Sequence, residues 1–374
     1  MLGFAASGMV NFRFGTACIG ACAIAIAGAT IDVSAQTALP VVRVLATGGT
    51  IAGRGASSTS LSNYKPGAML ADDLVKAVPE IKQYADVQVE QLFNVGSSDL
   101  TVANWVELAN RINAIFAGDP KVAGIVVTHG TNTLEETAYF LNLTVKHDRP
   151  VVVVGAQRPP TAMSSDGPLN LLNAIRAASA PEARGKGVLV VMNDEINAAR
   201  DVTKTNTYRV ETFRSPELGF LGYVDADKVS FYRASTKRHT TQSEFTLSAA
   251  TQLPKVDIVY SYLETNVAIL PALVASGTKG IVFAGAGAGA LSRAERTALK
   301  SLLDAHPGTG PVLVRSSRVG NGRVVADTTN RDEYDALGMI PADTLNPQKA
   351  RVLLMLALSK TRDLGEIRRM FSEY

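Results

Sequence analysis

Cysteine is nearly absent. The 374-residue chain has two, Cys18 and Cys22, both close to its start. Beyond them no disulfide, thiolate nucleophile or thiolate-held metal can form. Histidine is scarce as well: His129, His147, His239 and His306 are all there is, and none has metal-ligand spacing. No metal and no cofactor are expected. Aromatic residues make up 6% of the chain, which suits a tightly packed α/β protein better than a β-sandwich. No basic run is interleaved with aromatics and the net charge is only +3, which excludes nucleic acid as a partner. What the chain does have is 46% apolar and 19% charged residues, an ordinary globular balance with enough material for a sizeable core. Its length suggests about two domains.

The long apolar run is confined to residues 14–31, after Arg13 and before Val33-Ser34-Ala35. A charged residue, an apolar stretch and a small-residue cleavage pattern describe an export signal cut near Ala35. The run is short and Gly-rich for a membrane span, so no lasting anchor is expected. The protein would be periplasmic or secreted. Ile19-Gly20-Ala21-Cys22 resembles a lipoprotein cleavage box, but apolar residues continue past Cys22.

From residue 41 the chain alternates short β-branched runs (41–46, 87–95, 124–128, 151–155, 187–192) with amphipathic stretches (102–117, 134–147, 165–179). Alternation at crossover spacing predicts a mainly parallel sheet with helices on both faces. The rhythm breaks at residues 223–253, which are polar. It resumes with strands at 256–260, 280–284 and 311–315 and helices at 292–306 and 347–359. The predicted class is α/β, a larger N-terminal α/β domain and a smaller C-terminal one. The expected division is a signal at 1–35, a first domain at 36–232, a linker at 233–253 and a second domain at 254–374.

Ligands of parallel sheets bind beyond the carboxyl ends of the strands. The residues there are Thr47-Gly48-Gly49-Thr50, then Gly96-Ser97-Ser98-Asp99, then Thr128-His129-Gly130-Thr131-Asn132-Thr133. Each has a plain structural reading: a glycine turn, a helix cap by Ser98 or Asp99, and a capping box of Thr133 with Glu136. The capping box leaves the Thr131 hydroxyl unexplained, beside a helix N-terminus that favours a carboxylate or oxyanion. His129 suits a structural hydrogen bond better than catalysis. Lys204, in Asp201-Val202-Thr203-Lys204, is a surface charge by default and a base only if buried near Thr131. Residues 53–68 are rich in Gly and Ser, hold Tyr64 and have the composition of a lid. The run Gly285 to Ala290 is spaced GxGxG and reads as a tight turn, not a dinucleotide site.

Together the segments ATGGTIAG at 46–53, THGT at 128–131, EETAYFL at 135–141, SSDGP at 164–168, DVTKTN at 201–206 and LNPQKAR at 345–351 resemble the bacterial L-asparaginases, in particular the exported type II enzymes. The resemblance implies hydrolysis of L-asparagine to aspartate and ammonia. It also implies a homotetramer whose active sites are shared between subunits. It puts the nucleophile at Thr50, a second catalytic Thr at Thr131 paired with Lys204, the lid tyrosine at Tyr64 and the substrate carboxylate at Ser97. Two positions depart from the pattern, both expected to face the substrate ammonium: Asn132 stands where the family usually has Asp, and Ser98 where it has Gln or Glu. Ala288 replaces a frequent Asn, and the acidic residue expected from the neighbouring subunit is Asp332 or Glu333. The other readings are a glutaminase-asparaginase with shifted preference and an exported amino-acid-binding protein.

Overall fold

Runs of β-branched residues become strands, and the glycines and polar residues after them become turns at the strands' carboxyl ends. The computed structural model describes residues 38–326 and 331–374, except for the side chains of 331 and 332. The expected export signal, with both cysteines, lies outside the described residues, as does the side chain of Asp332.

Strand β1 (Val41–Gly48) leads through a short 3-10 turn to the hairpin strands β2 (Arg54–Gly55) and β3 (Tyr64–Lys65). Helix α1 (Ala71–Lys76), β4 (Asp86–Val95), α2 (Val102–Gly118), β5 (Val122–Thr128), α3 (Leu134–Thr144), β6 (Val151–Val154) and α4 (Gly167–Ser179) follow. Then come β7 (Val188–Met192), β8 (Glu195–Ala198), the paired β9 (Thr203–Lys204) and β10 (Phe213–Arg214), β11 (Gly222–Val224) and β12 (Val229–Phe231). The C-terminal part holds β13 (Val256–Tyr260), α5 (Ile269–Ala275), β14 (Gly280–Gly285), α6 (Arg293–Ala305) and β15 (Val312–Ser317). It closes with α7 (Arg331–Ala336), β16 (Ile340–Pro341), α8 (Pro347–Leu358) and α9 (Leu364–Glu373).

The larger sheet runs β12-β11-β8-β7-β6-β5-β1-β4. Its β4, β1, β5, β6 and β7 are parallel, and β8, β11 and β12 extend it antiparallel. The smaller sheet, β13-β14-β15-β16, is parallel throughout. The expected α/β class, with a larger N-terminal and a smaller C-terminal part, is therefore borne out. Two of the antiparallel strands, β11 and β12, fall where the rhythm breaks in the sequence. At three residues each they are too short to show alternation.

Valines and isoleucines of β5, β6 and β7 are buried on both faces, as in a sheet covered by helices on each side. Helices α2 and α3 meet through Trp105 and Phe140, stacked 5.2 Å apart. The Trp105 indole N–H donates to Thr137 Oγ1 at 2.8 Å. The 233–253 segment packs onto this body: Phe245 is buried against Tyr374, with ring centroids 5.1 Å apart.

Two capping expectations fail. The side chain that caps α2 is Thr101, in a reciprocal box with Asn104, not Ser98 or Asp99, which lie in a 3-10 turn before it. Thr133 does stand at the N-cap of α3, but its hydroxyl donates to the Ser97 carbonyl at 2.8 Å and caps nothing. A tertiary partner outcompetes the local one.

The strand order makes β1 a switch point, because β4 lies on one side of it and β5 on the other. Crossovers that diverge at such a point open a crevice beyond the carboxyl ends.

Candidate active site

Three carboxyl-end turns close on one another at that crevice, and glycines let them. Gly49 has φ 83°, and a Cβ there would lie 2.3 Å from Gly130 Cα. A Cβ on Gly130 would lie 2.7 Å from Ser97 Oγ. No side chain fits between the turns after β1, β5 and β4, which explains the paired glycines of TGGT and the glycine of THGT.

Thr50 opens the 3-10 turn after β1 and is 5% exposed. Its Oγ1 shares a hydrogen bond of 2.6 Å with the Tyr64 hydroxyl, in which either oxygen can donate. Tyr64 stands on β3, paired antiparallel with β2. The hairpin is docked by two hydrogen bonds: Gly55 N–H donates to Thr161 Oγ1 at 2.8 Å and Met163 N–H to the Ser58 carbonyl at 2.7 Å. The SSDGP segment holds this docking loop, since Asp166 accepts the N–H groups of Gln157 and Arg158 at 2.9 Å each.

Thr131 is equally buried, at 5%. Lys204 Nζ donates to its Oγ1 at 2.8 Å, which is the contact that the sequence left undecided. The lysine is half-buried on β9, whose partner β10 fixes it in an antiparallel pair with Phe213. Burial lowers its proton affinity, and the carboxylate of Glu135 partly opposes this. His129 is buried completely, its Nδ1 lies 2.7 Å from the Gly130 carbonyl, and burial pushes its pKa down to about 4. It belongs to the packing, as expected.

Ser97 Oγ accepts the N–H of Asn132 at 3.2 Å and of Thr133 at 3.4 Å, which joins the β4 and β5 turns. Asn132 Nδ2 donates to Ser98 Oγ at 2.9 Å, so the two departures from the family pattern are partners of each other. A cleft of about 300 Å³ is lined by Thr50, Tyr64, Ser97, Ser98, Thr131 and Asn132, and by Asp99. Of the catalytic and substrate-binding candidates Thr50, Tyr64, Ser97, Ser98, Thr131, Asn132 and Lys204, the lysine alone lies off this wall, and it contacts Thr131 from behind. Glu333, one of the two acidic candidates, pairs with Arg296 on α6 within the same chain. The run from Gly285 is a tight turn as expected, closed by Ala286 and Ala290 exchanging main-chain hydrogen bonds at 2.9 and 2.7 Å. Sequence reasoning named EETAYFL and LNPQKAR without giving Glu135, Asn346 or Lys349 a role. Their membership of those segments was the only signal.

The family described as "Asparaginase, N-terminal" matches residues 41–237, and "Glutaminase/Asparaginase C-terminal domain" matches residues 255–371. Among curated relatives, L-asparaginase 2 of Bacillus subtilis is 52% identical over 336 residues, 90% of this chain and 87% of the relative. L-asparaginase 2 of Escherichia coli is 47% identical over 91% of this chain and 95% of its own. The glutaminase-asparaginase of Pseudomonas fluorescens is 44% identical over 93% and 94%. A crystal structure titled as a probable cytoplasmic L-asparaginase from Campylobacter jejuni superimposes with a TM-score of 0.84 at 48% identity, over 89% of this chain and 99% of that one. The chain belongs to the asparaginase family of amidohydrolases, and its type II resemblance stands.

Proposed function

We propose that the protein hydrolyses the side-chain amide of L-asparagine through an ester on Thr50. One observation carries the reading: the Thr50–Tyr64 hydroxyl pair and the Thr131 hydroxyl, which Lys204 contacts from behind, face a single cleft. An amide is a weak electrophile and needs both an activated nucleophile and stabilisation of the oxyanion. Thr50 Oγ1 attacks the carboxamide carbon and loses its proton, and ammonia departs carrying it. A β-aspartyl ester remains on Thr50. Water then attacks the ester, giving its proton towards Thr131 and Lys204, and aspartate leaves with Thr50 restored. Main-chain N–H groups of the glycine turns would hold the oxyanion. A lysine whose proton affinity is lowered by burial is deprotonated in a larger fraction near neutral pH, as a base must be.

The same wall suits a free amino acid. Ser97 Oγ takes two N–H groups on its oxygen, which leaves its own proton to donate to a substrate carboxylate. Asn132 spends its amide N–H on Ser98 and keeps its carbonyl oxygen for the substrate ammonium. A neutral acceptor there binds an ammonium less tightly than a carboxylate does. Asp99 puts one carboxylate on this wall. The second reading, a glutaminase-asparaginase, is favoured by the Pseudomonas fluorescens relative and its 93% coverage of this chain. The ratio of ammonia released from asparagine and from glutamine separates the two. Mass spectrometry of acid-quenched enzyme tests the ester, which should add an aspartyl group to the peptide holding Thr50. An unmodified peptide under turnover would sink the covalent reading.

The assembly is proposed to be a homotetramer with shared sites. Tyr260, the last residue of β13, and Tyr262 and Leu263 just after it are exposed and offer apolar surface for a second copy. A monomer in light scattering would remove it. Export is supported by the sequence of residues 1–35 alone, and cell fractionation decides it. Among the described residues no helix is long and apolar enough to cross a membrane.

A further inference from the structure

The LNPQKAR segment at 345–351 lines no part of the cleft, yet its side chains reach the wall behind it. Asn346 caps α8 with its Oδ1, accepting Lys349 N–H at 3.0 Å. Its Nδ2 donates to Glu135 Oε2 at 2.9 Å and to Thr203 Oγ1 at 3.4 Å. Glu135 is buried, and its Oε1 lies 3.5 Å from the main-chain N of Lys204. Lys349, also buried, donates its ammonium to the carbonyls of Val202 and, at 2.8 Å, of Arg200. Arg351 donates to the Val256 carbonyl at 2.9 Å and lies 3.8 Å from Glu136. One segment of the C-terminal part thus grips the start of α3 and the approach to β9. Those are the two elements whose spacing sets the Lys204–Thr131 contact.

The other charges in this layer are accounted for. Lys349 on α8 feels Glu135 and Asp201, and Arg200 pairs with Asp201 at 3.2 Å. Glu136 is turned towards Arg351. Glu135 is left as the anion that acts on Lys204. A buried carboxylate persists only where donors hold it, and a fixed anion beside an amine favours the ammonium form.

We propose that Glu135, held by Asn346 of the C-terminal part, is the positioning residue that fixes Lys204 against Thr131 and supplies the negative charge that Lys204 works against. This rests on Lys204 as a proton carrier in the proposed reaction. The C-terminal part then contributes to its own chain's active site as well as to contacts with other copies.

Ammonia release from asparagine, followed against pH in full-length variants, tests it. Glu135→Gln keeps the shape and removes the charge. Lys204 then loses its proton more easily, and the ascending limb of kcat should move to lower pH by about one unit. Asn346→Ser keeps a good helix cap but is too short to reach Glu135. Its kcat should fall about tenfold with KM within about twofold of wild type. Wild-type pH profile and kcat in both folded variants would overturn the proposal. If Glu135→Gln does not fold, Asn346→Ser decides alone, and an unchanged kcat overturns it. Lys204→Met separates the proposal from the reading beneath it. An active Lys204→Met enzyme removes Lys204 from the chemistry and takes the proposal with it. An inactive one, beside a wild-type-like Glu135→Gln, removes only the positioning role.

Discussion

The two hydroxyl pairs of the cleft are built differently. Thr50 faces Tyr64, which comes from a two-residue strand of a hairpin with exposed serines and threonines, docked through a few main-chain hydrogen bonds. Thr131 faces Lys204, which comes from a pair of strands backed by the buried Glu135 and Lys349 and by Asn346. A nucleophile that accepts substrate gains from a partner that can retreat at little cost. A group that carries protons gains from a fixed electrostatic setting, because its proton affinity follows the distances to nearby charges. In the proposed reaction the chemistry therefore divides between an adjustable half and a rigid half.

That contrast can be broken at several points. The largest effect is expected from Thr50→Ala, which should lower kcat by about 10⁴ or more with an unchanged unfolding midpoint. Substantial ammonia release from this variant would move the nucleophile elsewhere. Lys204→Met in the rigid half should cost about 10²–10³ in kcat and flatten its rise with pH, since the titrating group is gone. An intact pH profile would place the titration in another residue.

Beside Thr131, burial gives His129 a pKa of about 4 in the folded protein against 6.5 when exposed. The unfolded chain therefore binds more protons between these values. The stability of the neutral form is fully present above pH 6.5 and is lost as the pH falls towards 4, by up to about 3 kcal/mol. Denaturant unfolding of wild type and His129→Gln across this range checks it, and the variant should lose much of the slope. Gly49→Ala should destabilise by roughly 2–3 kcal/mol, through its positive φ and its collision with Gly130. A thermal scan within a degree of wild type would contradict that packing. The smallest change belongs to the adjustable half. Tyr64→Phe removes one hydrogen bond to Thr50 and should lower kcat by about tenfold, with little change in stability.

The central strands and the helices between them were legible in the sequence to within a few residues. Their β-branched runs and amphipathic periods reflect burial between two layers of helix, a condition that each segment states locally. The antiparallel edge was not. Strands β11 and β12 hold three residues each in polar sequence, and they exist because β8 offers them an edge. The same limit applied to the caps. Thr133 has the local spacing of a capping box, but the Ser97 carbonyl was within reach and only the fold brings it there. At the site, the candidate residues were found because they follow strands, and the carboxyl ends of β1, β4 and β5 meet at a switch point.

By itself the sequence determined the α/β class, the family, and the hydroxyl and amide side chains at three strand ends. Those follow from patterns that repeat over a few residues. Only the tertiary structure decided which groups became partners. Lys204 meets Thr131 across 73 residues of chain, and Asn346 meets Glu135 across 211. No local propensity encodes such contacts. They form when helices and strands pack, and burial then lowers the proton affinity of an ordinary lysine, which the proposed chemistry uses.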